Sequence, residues 1–241
     1  GFTGTGALSI TTGNASMTLA LGTSNTSSSR TVNSSGADTD KTVTLTGSRA
    51  LSLTSGEADI VATGHSGAVT ATVDNANAAT LTIGTGATTL NTNGAGTLTV
   101  NGDAGGTAAL TIQGGDADTG AVTVADYEST GTLTLGNSLN AGAVAITTKG
   151  TGGRTIALGT SANVTSRAVT ATTLADGQTL TLTGNKAVTL TSGDADLAVG
   201  AYSGAVTATV DNANAATLTI GTGATTLNTN GAGTLTVNGD A

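Results

Sequence analysis

Apolar–polar–apolar triplets return at short, even intervals along this chain of 241 residues. Leu8-Ser9-Ile10, Leu19-Ala20-Leu21, Val43-Thr44-Leu45 and Leu51-Ser52-Leu53 open the series. Leu81-Thr82-Ile83, Leu98-Thr99-Val100, Leu110-Thr111-Ile112 and Leu133-Thr134-Leu135 continue it. From Leu98 to Ile156 the triplets start 12, 12, 11, 11 and 12 residues apart. Alternation with a period of two marks a strand with one buried face, and Thr, Val and Ile suit it. The runs are too short and too often broken by Gly to be helices. Between them, Gly84-Thr85-Gly86, Asn91-Thr92-Asn93-Gly94 and Asn101-Gly102-Asp103 read as turns, because Asn and Gly tolerate positive φ. Asn residues stacked at equivalent turns would bond from coil to coil as amide ladders do.

Strands this short and this evenly spaced fit a sandwich, a barrel or a solenoid. A long internal repeat selects among them. Ser66–Ala104 recurs unchanged at Ser203–Ala241, 137 positions later, and Thr42–Ile60 matches Thr179–Leu197 at the same offset. Arg30 likewise matches Arg167. Residues 1–137 are read as one repeat unit and 138–241 as a second, truncated one, both in one continuous solenoid. Aromatic residues are 1% of the chain, so a core of Leu, Ile, Val and Ala must be thin. The fold expected is all-β: a right-handed parallel β-solenoid of short strands and Gly/Asn turns, with coils of roughly 20–30 residues about 4.8 Å apart. Leu81, Ile83, Leu98, Val100, Leu110, Ile112, Leu133 and Leu135 should point inward. The 137-residue offset should be a whole number of coils, so that the copies differ by translation and a small twist. Asn25–Asp40, polar and Ser-rich, reads as a longer surface loop.

Charge and composition narrow the function. A formal net charge of −8 disfavours nucleic acid, whose phosphates need a basic stripe. No apolar run is long enough to insert in a membrane. The absence of Cys excludes disulfides and thiolate chemistry. No signal peptide is visible, and the chain starts at Gly1 rather than Met, which leaves an upstream segment open.

The rungs GTLTVNGDA (96–104), GTLTLGN (131–137) and ATLTIGTG (79–86) resemble those of filamentous-hemagglutinin and autotransporter-type β-helix adhesins. The resemblance is one of repeat style along the whole chain. It implies a structural or adhesive segment of a large repetitive protein, secreted and displayed on a bacterial cell surface as a fibre, stalk or surface-layer scaffold. Its partners would be further copies of itself, or the rest of a longer polypeptide, stacked end to end. Glycans of a host or neighbouring cell are a further implied partner.

Few residues carry chemistry. His65 is the single histidine, and Tyr202 takes its place in the other copy, so it reads as an exposed rung-edge residue rather than a catalytic one. Acid pairs two residues apart are the candidate metal ligands: Glu57 and Asp59, Asp116 and Asp118, Asp194 and Asp196. Carboxylates converging in a turn suit Ca²⁺, which takes six to eight oxygens. Gly114-Gly115-Asp116-Ala117-Asp118 resembles the calcium-binding nonapeptide of RTX proteins, without its middle Gly or its tandem repetition. A calcium-stabilised surface protein is therefore one alternative; no other cofactor is expected. The acids could also pair with Arg49 and Lys186, which correspond between the copies. A glycosidase would need a sugar-stacking platform as well as two acids, and one Phe and two Tyr supply almost none. No enzyme activity is expected. A second alternative rests on Thr-x-Thr, as in Thr80-Leu81-Thr82 and Thr97-Leu98-Thr99, whose outward hydroxyls would stack into a regular array able to bind ice or glycans. Ala143-Val144-Ala145 breaks that array.

The last rung, Gly233–Ala241, repeats the interior Gly96–Ala104 and carries no cap, so the rod is expected to continue at its ends. On that expectation the isolated segment lengthens into fibres, and light scattering should rise with concentration; a concentration-independent monomer would contradict it.

Overall fold

The structure, a computed structural model, describes residues 7–23, 30–102, 106–114 and 120–239. Its strands in chain order are β1 (Leu8–Thr11), β2 (Met17–Ala20), β3 (Arg30–Ser34), β4 (Thr42–Gly47), β5 (Leu51–Ser55), β6 (Asp59–His65), β7 (Val69–Val73), β8 (Ala79–Thr82), β9 (Thr88–Thr92), β10 (Leu98–Asn101), β11 (Leu110–Gly114) and β12 (Val122–Tyr127). There follow β13 (Leu133–Leu135), β14 (Ala143–Thr148), β15 (Arg154–Ala157), β16 (Ser166–Ala171), β17 (Thr179–Thr183), β18 (Val188–Ser192), β19 (Asp196–Ala198), β20 (Val206–Val210), β21 (Ala216–Thr219), β22 (Thr225–Thr229) and β23 (Leu235–Asn238). Odd-numbered strands form one 12-stranded sheet and even-numbered strands an 11-stranded one, each strand pairing with the strand two places on. All these pairings are parallel, so each turn of the chain contributes one strand to each sheet. The result is a parallel β-solenoid of about 10 turns, as the triplet spacing predicts.

Register stacks like on like. Leu110 sits against Leu133, Leu133 against Ile156, and Ile156 against Leu182. The inner faces of the two sheets meet in one aliphatic core running the length of the rod. All eight residues expected to point inward are buried, Ile83 being the most exposed of them at 6%.

The repeat does not span a whole number of coils. Thr42 lies in β4 and its counterpart Thr179 in β17, thirteen strands later, so the two fall in opposite sheets. The same exchange carries Val69–Val73 to Val206–Val210, in β7 and β20. The copies are therefore related by a half-turn about the rod as well as a translation. The physical reason is that the repeating unit is one strand and its turn, half a coil. Both sheets offer such a unit the same inward environment, so an odd number of halves closes as well as an even one.

Two local readings also change. Within the expected loop Asn25–Asp40, Arg30–Ser34 is a strand whose inward positions are Arg30, Val32 and Ser34. The turn glycines Gly84, Gly86, Gly94 and Gly96 do not take positive φ. They are needed because coil backbones touch at the corners: a Cβ on Gly96 would lie inside the van der Waals shell of the Asn77 carbonyl oxygen. Asn75 holds the same corner. Buried to 2% exposure, it donates from Nδ2 to the carbonyls of Asn77 (2.6 Å) and, on the next coil, Thr97 (3.1 Å). Asn212 repeats this with Asn214 and Thr234. The coil-to-coil bonds of these asparagines thus run to backbone, while a side-chain amide pair forms on a strand, Gln113 donating to Asn91 at 2.7 Å.

Leu90 and Leu227 stand at equivalent places in identical sequence, but Leu90 is fully buried under a further coil and Leu227 only partly. Leu90→Ala should cost about 2–5 kcal/mol and Leu227→Ala clearly less, read from denaturant or thermal melts of the two variants. Equal losses would contradict the coil-on-coil core.

Candidate functional surface and the contacts between coils

Outward positions of the strands carry short polar side chains, and register sorts them into columns. On the 12-stranded sheet one column reads Ser9, Thr31, Ser52, Thr70, Thr89, Thr111, Thr134. It is unbroken over seven rungs before Ala157 follows Thr134. A second column beside it reads Thr11, Asn33, Thr54, Thr72, Asn91, Gln113. On the 11-stranded sheet the column from Thr99 and Thr123 is broken by Ala145 and Ala168 before it resumes at Thr189 and Thr207. The Ala steps thus fall in both sheets, but on the 12-stranded one they come only after seven hydroxyl rungs. Neighbouring hydroxyls in a column are held about 4.8 Å apart by the backbone ladder.

The candidate metal ligands are engaged elsewhere. Glu57 accepts from the backbone N–H groups of Ala76 (2.7 Å) and Asn77 (3.0 Å) on the next coil. Asp59 accepts from the Thr80 N–H at 2.8 Å. In the second copy Asp194 accepts from the N–H groups of Ala213 (2.6 Å) and Asn214 (2.9 Å) and from the Asn214 side chain (3.1 Å). Asp196 accepts from the Thr217 N–H at 2.7 Å. Each pair thus clasps the following coil at a corner where the backbone ladder leaves donors over, which gives the retention of these acids between copies a structural cause. No cluster of three or more potential metal-ligating side chains occurs among the described residues. Asp116 and Asp118 lie outside the described residues.

Buried polar side chains do a related job from inside. Arg167 donates from Nε to the Leu158 carbonyl (3.1 Å), from Nη2 to Ser161 (2.6 Å) and from Nη1 to Val164 (3.4 Å). Arg30, its counterpart, donates from Nε to the Leu21 carbonyl at 2.5 Å. Arg154 holds Tyr127, Lys149, Gly152 and Gly153 in the same way. These guanidiniums replace the missing backbone partners of corners too wide for the ladder, since a buried carbonyl without a donor is costly. The correspondence of Arg30 with Arg167, rare bases in a chain with seven, was the signal for them in the sequence.

His65 is buried, not exposed at a rung edge. It closes β6, and its Nε2 donates to the Arg49 carbonyl at 2.8 Å. Tyr202 is equally buried, and its hydroxyl donates to the carbonyl of Lys186, the counterpart of Arg49. Different side chains thus make one hydrogen bond at one place in the two copies.

Asp194 yields a direct test. Its amide donors hold its carboxyl below the usual carboxylate range. A depressed acid contributes stability that is complete above its ordinary pKa and is lost as pH falls through the folded value, so this contribution fades below about pH 4. Asp194→Ala should lower the melting temperature at pH 7, flatten its fall in acid, and do so equally with calcium or chelator present. A melt that drops on chelation in the parent protein and not in the variant would make Asp194 a calcium ligand instead. Comparison with known protein families, curated proteins and solved structures finds no match to this chain.

Proposed function

We propose that this chain is a stiff structural segment of a large, repetitive, secreted bacterial cell-surface protein, serving as fibre, stalk or surface-layer scaffold. One observation carries the reading: a single aliphatic core and two continuous parallel sheets run from β1 to β23. Bending or stretching such a rod breaks several ladder bonds in each sheet at once, so stiffness comes from the repetition itself. Each coil covers the apolar face of the one before it, as the burial of Leu98 and Val100 beneath the next coil illustrates. Another coil of the same kind, from a further copy or a longer polypeptide, is the partner this geometry suits. Export and surface display rest on the resemblance of the rungs to β-helix adhesins. Electron microscopy of the native assembly is the test: filaments of uniform width support a scaffold, and isolated rods projecting from cells support an adhesin.

The seven-rung hydroxyl column on the 12-stranded sheet, Ser9 to Thr134, favours a second reading, a binding face for ice or a glycan. Replacing Thr70 and Thr89 by Tyr on this face, and Thr189 and Thr207 by Tyr on the opposite one, separates the two surfaces. Adsorption to ice or to insoluble polysaccharide should fall at least tenfold with the first pair and not with the second; equal behaviour of the two pairs would leave the face without this role.

A further inference from the structure

The two copies of the repeat carry out one structural task with different side chains, and that difference has a chemical consequence. At the end of β6, His65 is 1% exposed, and among the described residues its side chain hydrogen-bonds through Nε2 to the Arg49 carbonyl. Nε2 must carry the proton to donate, so in the neutral ring Nδ1 is the bare nitrogen. That nitrogen is buried and has no hydrogen-bond partner among the described residues. Protonating it would create a buried N–H without an acceptor and a cation without a counter-ion. The surroundings offer no relief. Arg30, 1% exposed, already places a guanidinium in the same part of the core, and Arg49 is the cation that supplies the carbonyl. Gly47 pairs with His65 from the coil before and Gly84 packs on its carbonyl from the coil after, so neither neighbour along the stack brings a carboxylate.

Tyr202 stands at the corresponding place. Its hydroxyl makes the equivalent bond to Lys186, and Arg167 holds the position of Arg30. A phenol has no basic site to protonate in mild acid, so this copy never acquires the buried, unpartnered N–H and uncompensated charge that protonation brings to the other.

We propose that the coil closed by His65 is an acid-sensitive joint in the rod: it is shut while the imidazole is neutral and opens when the ring is protonated, whereas the coil closed by Tyr202 stays shut. Burial, opposed by the Arg49 hydrogen bond and reinforced by the Arg30 charge, holds the imidazole below its ordinary value. A base depressed in the folded state contributes stability that is complete above its unfolded pKa, about 6.5, and is lost as pH falls toward the folded value. Mildly acidic surroundings therefore loosen one coil and leave its twin intact.

His65 is the only histidine, so its ring protons can be followed singly by NMR through a pH titration of the full chain. They should titrate clearly below 6.5. Hydrogen exchange with mass spectrometry, corrected for intrinsic rates, should show protection of segment 48–66 falling at least tenfold between pH 7.5 and 5.0 while segment 185–203 holds. His65→Tyr, the residue that its own twin uses, should abolish that fall, and Tyr202→His should transfer it to 185–203. The proposal is overturned if His65 titrates at or above the ordinary value, if 48–66 keeps its protection in acid, or if the loss persists in His65→Tyr. Should Tyr202→His fail to fold, the titration and the His65→Tyr comparison still decide.

Discussion

Everything in this molecule depends on the spacing of its backbone ladder. Parallel hydrogen bonding holds successive coils about 4.8 Å apart, and every side chain in a register column inherits that distance. Inside, the spacing suits leucine on isoleucine on leucine, which makes a narrow core feasible without aromatic bulk. Outside, it suits Thr and Ser. At the corners it leaves no room for a Cβ where backbone lies on backbone, as at Gly96. The abundance of small residues is the shadow of that one distance.

Where the ladder cannot reach, side chains take over its bonds. Glu57 and Asp194 accept backbone N–H groups of the next coil from outside, while Arg167 and Arg154 donate to stranded carbonyls from inside. Acids and bases thus divide the work by the polarity of the group left over. An acid pair in this fold is a clasp first, and the calcium chemistry that its spacing invites must compete with amide donors already in place.

The pattern of the sequence made the fold and the eight central inward residues legible, because alternation of Leu, Ile and Val with Thr is what a half-buried strand requires. It hid strands whose inward residues are polar. Arg30 and Ser34 in β3, and Thr88 and Thr92 in β9, face the interior as Leu would, yet nothing in their character announces it. His65 was misplaced for the same reason: a lone polar residue reads as exposed unless its partner, here the Arg49 carbonyl from sixteen residues earlier, is known. The hydroxyl column was obscured differently. Consecutive triplets belong to alternating sheets, so the breaks at Ala145 and Ala168 fall on one sheet and leave seven successive rungs of the other uninterrupted.

The thirteen-strand offset between the copies bears on the shape of a long array. Two sheets that differed in side-chain bulk would twist unequally, and a rod built from them would curve toward one side. Because an identical segment next occurs in the opposite sheet, its bias is applied in the opposite direction. The curvature that the identical segments would contribute is opposed between the copies, as opposed plies of grain keep a laminated beam from warping.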